Sequence, residues 1–268
     1  MRIFSIQGSS ISETDTLPAR LPEQGYLWLA CSREEFEHLQ ARLQAALQAW
    51  TGLQLVDLHI SDLLNKQLPS HYDYTSQYDL LVFRRLATRH GESEGAHSGE
   101  PLVRSPARGG PPVLRRIDTS PVGFALFDQL LLTVHPSDCS VREAYAARLL
   151  NHGHADPRPT GSRVPANPAD LMLRLVNLMV DGYLELRREL TRQLDHWQSS
   201  LLKPGTRFNN WSALLEARLS LHQLDEICED QRAAIQDWID ALETWPDAQT
   251  PAEQRRSEHT SELQSRQC

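Results

Sequence analysis

Residues 169–197 read ADLMLRLVNLMVDGYLELRRELTRQLDHW, and an apolar side chain recurs in them at every third or fourth position. This spacing is typical of an amphipathic α-helix, and it continues for about 30 residues, or about 45 Å of helix. Asn167 before Pro168, with Asp170 in the first turn, is typical of a helix N-terminus. The pattern therefore predicts one long helix over Pro168–Leu202.

A second long helix is predicted over Trp211–Trp245, after a turn marked by Pro204 and Gly205 and with Asn210 as its cap. Its inner positions alternate spacings of three and four, which is a heptad pattern. With Gln231 as the polar interruption, they are Leu214, Ala217, Leu221, Leu224, Cys228, Gln231, Ile235, Trp238, Leu242 and Trp245. Two long helices joined by a short turn predict an antiparallel helical hairpin over residues 166–246.

The outer face of the second helix is acidic. Charge on an exposed helical face is usually only solvated, and cation binding by these carboxylates is the alternative. The residues concerned are Asp225, Glu226, Glu229, Asp230, Asp237, Asp240 and Glu243.

The part of the chain before the hairpin alternates strand-like and helix-like patterns, as α/β proteins do. A helix is predicted from Ser32, where Glu35 completes a capping box, a short one over 61–68, and a third from Ser140 to Leu150. Strands are predicted at RIFSI, GYLWLAC, LQLVDLH, YDLLVFRRL, PPVLRRID, PVGFALF and LLLTVH. The fold class predicted from the patterns is thus α/β followed by all-α.

Residues 88–112 are rich in Gly, Ser, Pro and charge, and this composition predicts a mobile loop. His90 and His97 in this loop, like His152 and His154 further on, are candidate metal ligands. Solvated loop histidines are the favoured interpretation, because no third ligand accompanies the second pair at helical or strand spacing.

The segment TVHPSDC brings together residue types used in nucleophilic catalysis, namely Thr133, His135, Asp138 and Cys139. Neighbouring strand positions point to opposite faces, so adjacency in sequence does not make a triad. The sequence also has no G-x-G-x-x-G, P-loop, H-E-x-x-H or G-x-S-x-G motif. An enzyme is therefore not predicted, and no catalytic or cofactor-binding residue is assigned.

Composition sets limits on partners and location. The formal net charge of −8 argues against nucleic acid and anionic lipid as partners. The most apolar run, residues 122–134, falls short of the roughly 20 residues of a membrane span. No secretory signal opens the chain, and Cys31, Cys139 and Cys228 lie far apart, so the chain is predicted to be cytoplasmic.

Five segments follow one another along the chain: GYLWLACS, ISDLLNKQLPSHYDYTSQYDLLVFR, FALFDQLLLTVH, ADLMLRLVNLMVDGYLELRRELTRQLDHW and NNWSALLEARLSLHQLDEICEDQRAAIQDWIDAL. Their order and spacing resemble the soluble cytoplasmic part of the CorA family of magnesium channels. The resemblance covers residues 24–245 apart from the loop. It implies an α/β/α sandwich with a mixed sheet over 1–155, an angled helix pair over 166–246, and a homopentamer in the full-length protein.

In that family a stalk helix and two membrane helices with a Gly-Met-Asn loop follow the helix pair. Residues 247–268 are interpreted as the start of a truncated stalk, capped by Thr250, and an artefactual tail that is similar to a translated sequencing adapter. Such a fragment would lack the pore and would not transport alone, while its parent would lie in the inner membrane with this part on the cytoplasmic side. A natural soluble paralogue is the alternative.

The resemblance also implies Mg²⁺ as the transported and regulatory ion, with Zn²⁺ or Co²⁺ open through a zinc-transporting branch. One regulatory acid of the family lies in the loop where this chain has Thr88 and Arg89, and another lies on the stalk. The metal ligands therefore stay unknown. Two functions remain, a divalent-cation channel domain and a soluble coiled-coil interaction or regulatory module.

Overall fold

The computed structural model describes residues 1–87, 103–104, 113–114, 117–137, 139–152, 164–203 and 211–244. The elements alternate between strand and helix first and end with two long helices, which confirms the predicted fold class. In chain order they are β1 (Arg2–Gln7), β2 (Ser10–Thr14), β3 (Tyr26–Ser32), α1 (Arg33–Thr51), α2 (Asp57–Leu64), β4 (His71–Tyr74), β5 (Asp79–Leu86), β6 (Val103–Arg104), β7 (Val113–Leu114), β8 (Thr119–Phe127), β9 (Leu130–His135), α3 (Ser140–His152), α4 (Pro168–Leu201) and α5 (Trp211–Thr244).

One seven-stranded mixed sheet organises the first part of the chain, in the order β2-β1-β3-β9-β8-β5-β4. Strands β3 and β9 are parallel neighbours, and β8 is antiparallel to both β9 and β5. It follows that β3, β9 and β5 all run in the same direction. Their carboxyl ends therefore meet at one edge of the sheet, which we call the carboxyl edge.

Helices cover both faces of the sheet, and this produces the three layers that the resemblance implied. On one face, Leu27 and Leu29 of β3 pack in a cluster with Phe36 of α1 and Leu63 of α2. Gly123 of β8 permits this approach, because a Cβ there would lie 2.3 Å from Leu63 Cδ2.

The opposite face of the sheet packs against α3, α4 and α5. Trp28 of β3 lies in a cluster with Tyr145 of α3, Leu175 of α4 and Trp238 of α5. Because side chains alternate along a strand, the near-continuous apolar sequence of β3 serves both faces at once.

Two predicted helix starts are confirmed by their hydrogen bonds. The Ser32 side chain accepts from the Glu35 N–H, and the Glu35 carboxylate accepts from the Ser32 N–H, which completes the capping box of α1. At α4, the Asn167 side chain accepts from the Asp170 N–H at 2.8 Å. Helix α3 begins at Ser140, as predicted. The carboxylate of Glu143 in its first turn accepts hydrogen bonds from Arg2 and Arg142.

The two long helices form the predicted antiparallel hairpin. An apolar cluster joins Leu186, Leu190 and Trp197 of α4 to Ala217 and Ile227 of α5. The first half of α4 and the last half of α5 continue over the sheet, where α5 contacts β4 and β5. The hairpin therefore has a proximal half on the sheet and a distal half, beyond Tyr183 of α4, that extends away from it.

The inner face of α5 includes one fully buried row beside the predicted positions. Ala217, Gln231 and Trp238 are buried as expected, and Ser220, Ile227 and Ala234 form the second buried row. The predicted Leu214, Leu221, Leu224 and Ile235 are partly buried and pack against the apolar clusters. Cys228 and Leu242 are exposed, so the prediction was wrong at these two positions.

One strand prediction was wrong, and three described strands, β2, β4 and β6, were missed. LQLVDLH does not form a strand, since its last three residues begin α2, and the short helix lies at 57–64 rather than 61–68. PPVLRRID yields only the two residues of β7. The unpredicted β2 and β4 are short edge strands without buried side chains, so their sequences lack an apolar alternation.

Most of the predicted mobile loop at 88–112 lies outside the described residues. Its described residues, Val103 and Arg104, form β6, which pairs antiparallel with β7 just after the loop. The residues from Trp245 onward also lie outside them.

Candidate functional site at the carboxyl edge of the sheet

The carboxyl edge gathers the polar residues that follow three parallel strands. Ser32 ends β3, His135 ends β9 directly beside it, and Arg84 and Arg85 lie near the end of β5. Because parallel strands deliver their last residues to the same edge, this is where an α/β fold commonly builds a ligand site.

Thr133 and His135 of β9 form a buried polar chain with Trp28 of β3. Trp28 Nε1 donates to Thr133 Oγ1 at 2.9 Å, and Thr133 Oγ1 donates to the Leu29 carbonyl at 3.3 Å. His135 Nε2 lies 2.7 Å from Thr133 Oγ1, and His135 Nδ1 lies 3.3 Å from Cys139 Sγ. A neutral imidazole protonated at Nε2 satisfies all of these contacts, with the Cys139 thiol as donor to Nδ1.

The environment keeps both ends of this chain uncharged. Burial, reinforced by the cationic Arg142, Arg85 and Arg33, lowers the pKa of His135 well below its ordinary value. Burial likewise raises the pKa of the Cys139 thiol. Burial therefore favours the neutral thiol and the neutral imidazole, and both side chains lie in the interior of the fold.

Of the four residues singled out in TVHPSDC, the structure brings Thr133, His135 and Cys139 together. Asp138 lies outside the described residues. The sequence argument overlooked that Thr133 and His135, two positions apart, share one face of β9. The contacts among Thr133, His135 and Cys139 are buried and hold the end of β9 in place.

Guanidinium groups make the carboxyl edge electropositive. Arg33 donates to the Pro121 carbonyl and Arg85 donates to the Leu86 carbonyl at 2.9 Å, and both side chains are buried. The Thr88 and Arg89 positions that follow β5 lie outside the described residues.

The backbone of Arg84 connects the sheet to both long helices. Its carbonyl oxygen accepts from Tyr183 Oη of α4 at 2.9 Å and from Gln231 Nε2 of α5 at 2.7 Å. Its guanidinium donates to Thr119 Oγ1 at 2.8 Å and to the Leu68 carbonyl at 2.7 Å. We call these contacts the Arg84 junction, and they fix the position of the hairpin on the sheet.

The sequence held one signal of the Arg84 junction, the polar Gln231 in an apolar seam. Nothing in the sequence indicated the Arg84 carbonyl as the acceptor, since a backbone carbonyl has no sequence signature. Tyr183 occupies an apolar position of α4, where burial raises its pKa. The Tyr183 hydroxyl is thus kept protonated as a donor.

A second polar network ties α2 to β4 and β5. Tyr78 Oη accepts from the Val56 N–H at 3.0 Å and lies 2.8 Å from His59 Nδ1, while His59 Nε2 lies 3.2 Å from Asp73 Oδ2. The hydrogen bond from His59 holds the pKa of Asp73 below its ordinary value. This network was missed because the first three residues of α2, which include His59, were predicted to be part of a strand.

The acidic residues of α5 lie on its solvent side, as the solvated interpretation predicts. Glu229 pairs with Arg232 at 2.8 Å, Glu226 lies 3.5 Å from His222, and Asp240 accepts from Gln236 at 2.7 Å. Within the described ranges, no three side chains of His, Cys, Asp or Glu are grouped so that they could hold a metal ion. His90, His97 and His154 fall outside those ranges, and no side-chain contact is described for His152.

Comparisons with known proteins place this fold among cation transporters. The family model described as CorA-like Mg²⁺ transporter protein matches residues 23–265. No curated protein matches the chain. In the described part of the chain, no helix combines the length and the apolar character needed to cross a membrane.

Solved structures with the same fold include domains of two transporters. The ZntB cytoplasmic domain from Vibrio parahaemolyticus is 14% identical with a TM-score of 0.56, over 97% of this chain and 86% of that chain. The soluble domain of CorA from Methanocaldococcus jannaschii is 14% identical with a TM-score of 0.55. The match covers 98% of this chain and 88% of that chain. The complete CorA from that organism is 16% identical with a TM-score of 0.55. The match covers 98% of this chain and 68% of that chain.

Proposed function

The chain belongs to the CorA family, and we propose that it forms the cytoplasmic domain of a divalent-cation transporter with Mg²⁺ as the favoured ion. The observation that carries this proposal is the family match over residues 23–265, which includes five of the seven strands of the sheet and both helices of the hairpin. The fold supports it, because a three-layer domain followed by two long helices is shared with the soluble domain of a CorA protein. The parent protein would lie in the inner membrane with this domain in the cytoplasm.

The choice of ion is the finer part of the proposal. The family description names Mg²⁺, whereas the similar structures include both a CorA and a ZntB domain at nearly equal TM-scores. We therefore favour Mg²⁺ and keep Zn²⁺ and Co²⁺ as the competing ions. No metal ligand is assigned.

Self-association is the second part of the proposal, with a homopentamer as the state of the full-length protein. Its support is the distal half of the hairpin, where Leu215 and Leu219 are 57% and 62% exposed on the side of α5 that faces away from α4. Neighbouring apolar side chains on an outer helical face are typical of contact surfaces.

The same leucines favour a second candidate function, a soluble interaction or regulatory module that transports nothing. Long-read sequencing of the locus beyond the Arg256 codon separates the two. The transporter proposal predicts an open frame that encodes a long helix and two apolar spans around Gly-Met-Asn. A stop codon directly after Cys268 would overturn it and favour the module.

A further inference from the structure

Asp79 is a buried carboxyl group beneath the hairpin. It is the first residue of β5 and is 2% exposed. Side chains alternate along a strand, so Asp79 shares its face with Leu81 and Phe83. Both belong to the apolar cluster that contains Trp238 of α5, so Asp79 lies on the side of the sheet that α5 covers.

The hydrogen bonds of this carboxyl group are incomplete. Asp79 Oδ1 accepts from Tyr72 Oη at 3.0 Å. Asp79 Oδ2 is fully buried and has no hydrogen-bond partner in the part of the chain that the structure describes. An ionised carboxylate in this position is poorly compensated, whereas a protonated one avoids burying a charge.

The groups around Asp79 do not stabilise a negative charge. Strand β4 contributes Tyr72 and, directly opposite Asp79, Tyr74, while the turn between β8 and β9 contributes the anionic Asp128. Helix α5 contributes Trp238 to the same cluster, and the buried Trp238 Nε1 makes no hydrogen bond to Asp79 within the described residues. The acids of α5 in this region, Asp237 and Asp240, are exposed, and Arg232 pairs with Glu229. Burial first, and Asp128 in addition, raise the pKa of Asp79 to about 7 against the opposing effect of the Tyr72 hydrogen bond.

We propose that Asp79 is a proton switch that sets how firmly the last half of α5 and the edge strand β4 are held on the sheet. The protonated carboxyl group keeps this edge closed. Ionisation places an unpaired charge between the sheet and α5, and the edge opens. The inference concerns the packing of α5 and does not depend on the proposed transport function.

The sign of the effect follows from proton linkage. An aspartate in the unfolded chain ionises near pH 3.9, while Asp79 in the folded chain ionises near 7. Its contribution to stability is therefore complete below about pH 4 and is lost as the pH rises through 7. Between pH 6 and pH 8 the opening equilibrium of this edge shifts by about tenfold toward the open form.

Hydrogen exchange followed by mass spectrometry on the full 268-residue chain tests the switch. The measured quantity is the opening equilibrium constant, which is the observed exchange rate divided by the intrinsic rate. For wild-type peptides from β4 and from residues 234–244, this constant should be about tenfold larger at pH 8 than at pH 6. In Asp79→Asn this difference should vanish. Asp237→Asn, which removes an exposed acid of the same helix, should retain it.

An unchanged pH difference in Asp79→Asn, or no difference in the wild type, would overturn the proposal. Tyr72→Phe provides a second variant if Asp79→Asn fails to fold. It removes the donor to Oδ1, so the pH midpoint of opening should move upward, and an unmoved midpoint would also overturn the proposal.

Discussion

The sheet and the distal half of the hairpin are built on different principles. Strand β3 is buried along its whole length, because helices cover both faces of the sheet. The distal half of the hairpin has one inner seam, and large apolar side chains lie on its other surfaces. Those exposed there are Leu184, Leu194, Leu201, Leu202, Leu215 and Leu219.

The difference shows where stability and positioning come from. The sheet supplies most of the apolar burial, and burial dominates the free energy of folding. The hairpin is placed on the sheet by the Arg84 junction, in which one carbonyl accepts from both Tyr183 and Gln231. Few partners satisfy such buried donors, so these two hydrogen bonds select the register of the two helices.

Removing a large side chain from the sheet should have the largest effect. Trp28 has no exposed surface and stacks on Phe4 with ring centroids 4.7 Å apart. Trp28→Ala should lower the free energy of unfolding by about 3–5 kcal/mol in urea denaturation. The matched change in the hairpin, Trp197→Ala, should loosen mainly the distal half, as hydrogen exchange would show. Equal global losses in both variants would remove the distinction between the regions.

Disconnecting the Arg84 junction should have an intermediate effect. Tyr183→Phe and Gln231→Leu each remove one donor to the Arg84 carbonyl and should each cost about 1–2 kcal/mol in the free energy of unfolding. Because both donors share an acceptor, the double variant should depart from additivity. Strict additivity would mean that the two helices are positioned independently.

The buried imidazole of the sheet predicts a dependence on pH. The pKa of His135 is lowered in the folded chain, so its stabilising contribution is present above about pH 6.5 and is lost as the pH falls. Asp79 acts in the opposite direction, so the quantity to measure is the difference between wild type and His135→Gln. Below pH 6.5 this difference in unfolding free energy should shift in favour of the variant by up to about 1.4 kcal/mol per pH unit. His38→Gln, at an exposed position of α1, serves as the matched control for the substitution itself.

Changing the outer face of the hairpin should have the smallest effect on stability. Leu215→Gln combined with Leu219→Gln should alter the free energy of unfolding by less than about 0.5 kcal/mol, because both side chains are exposed. Sedimentation velocity over a range of concentrations should show weaker self-association than in the wild type. Unchanged association would place the contact between copies elsewhere.

The sequence predicted the parts of the fold that rest on periodicity and capping. The α4 start at Asn167 and the α1 start at Ser32 were correct because their side chains bond locally to backbone N–H groups. The residues of β4 were missed because an edge strand that is half-buried shows no apolar alternation. In α5, packing on the sheet, which the heptad rule ignores, buries Ala234 fully and leaves the predicted Ile235 partly buried beside it.

The candidate site was less predictable than the fold. Gln231 was noticed only as an interruption, because its acceptor is a backbone carbonyl of a strand 147 residues away in sequence. Asp79 gave no signal at all, since an acid before an apolar strand is normally a solvated strand end. The metal ligands stay a prediction without residues, and Thr88 and Arg89 lie outside the described ranges.

Uptake of Mg²⁺ into proteoliposomes that carry the complete product of the gene tests the central claim most directly. Vesicles loaded with a Mg²⁺-sensitive dye should report uptake that is absent from protein-free vesicles, with Zn²⁺ and Co²⁺ measured in parallel with dyes of their own. Uptake of Mg²⁺ is the predicted result. A folded, membrane-inserted product that moves none of the three ions would contradict the account.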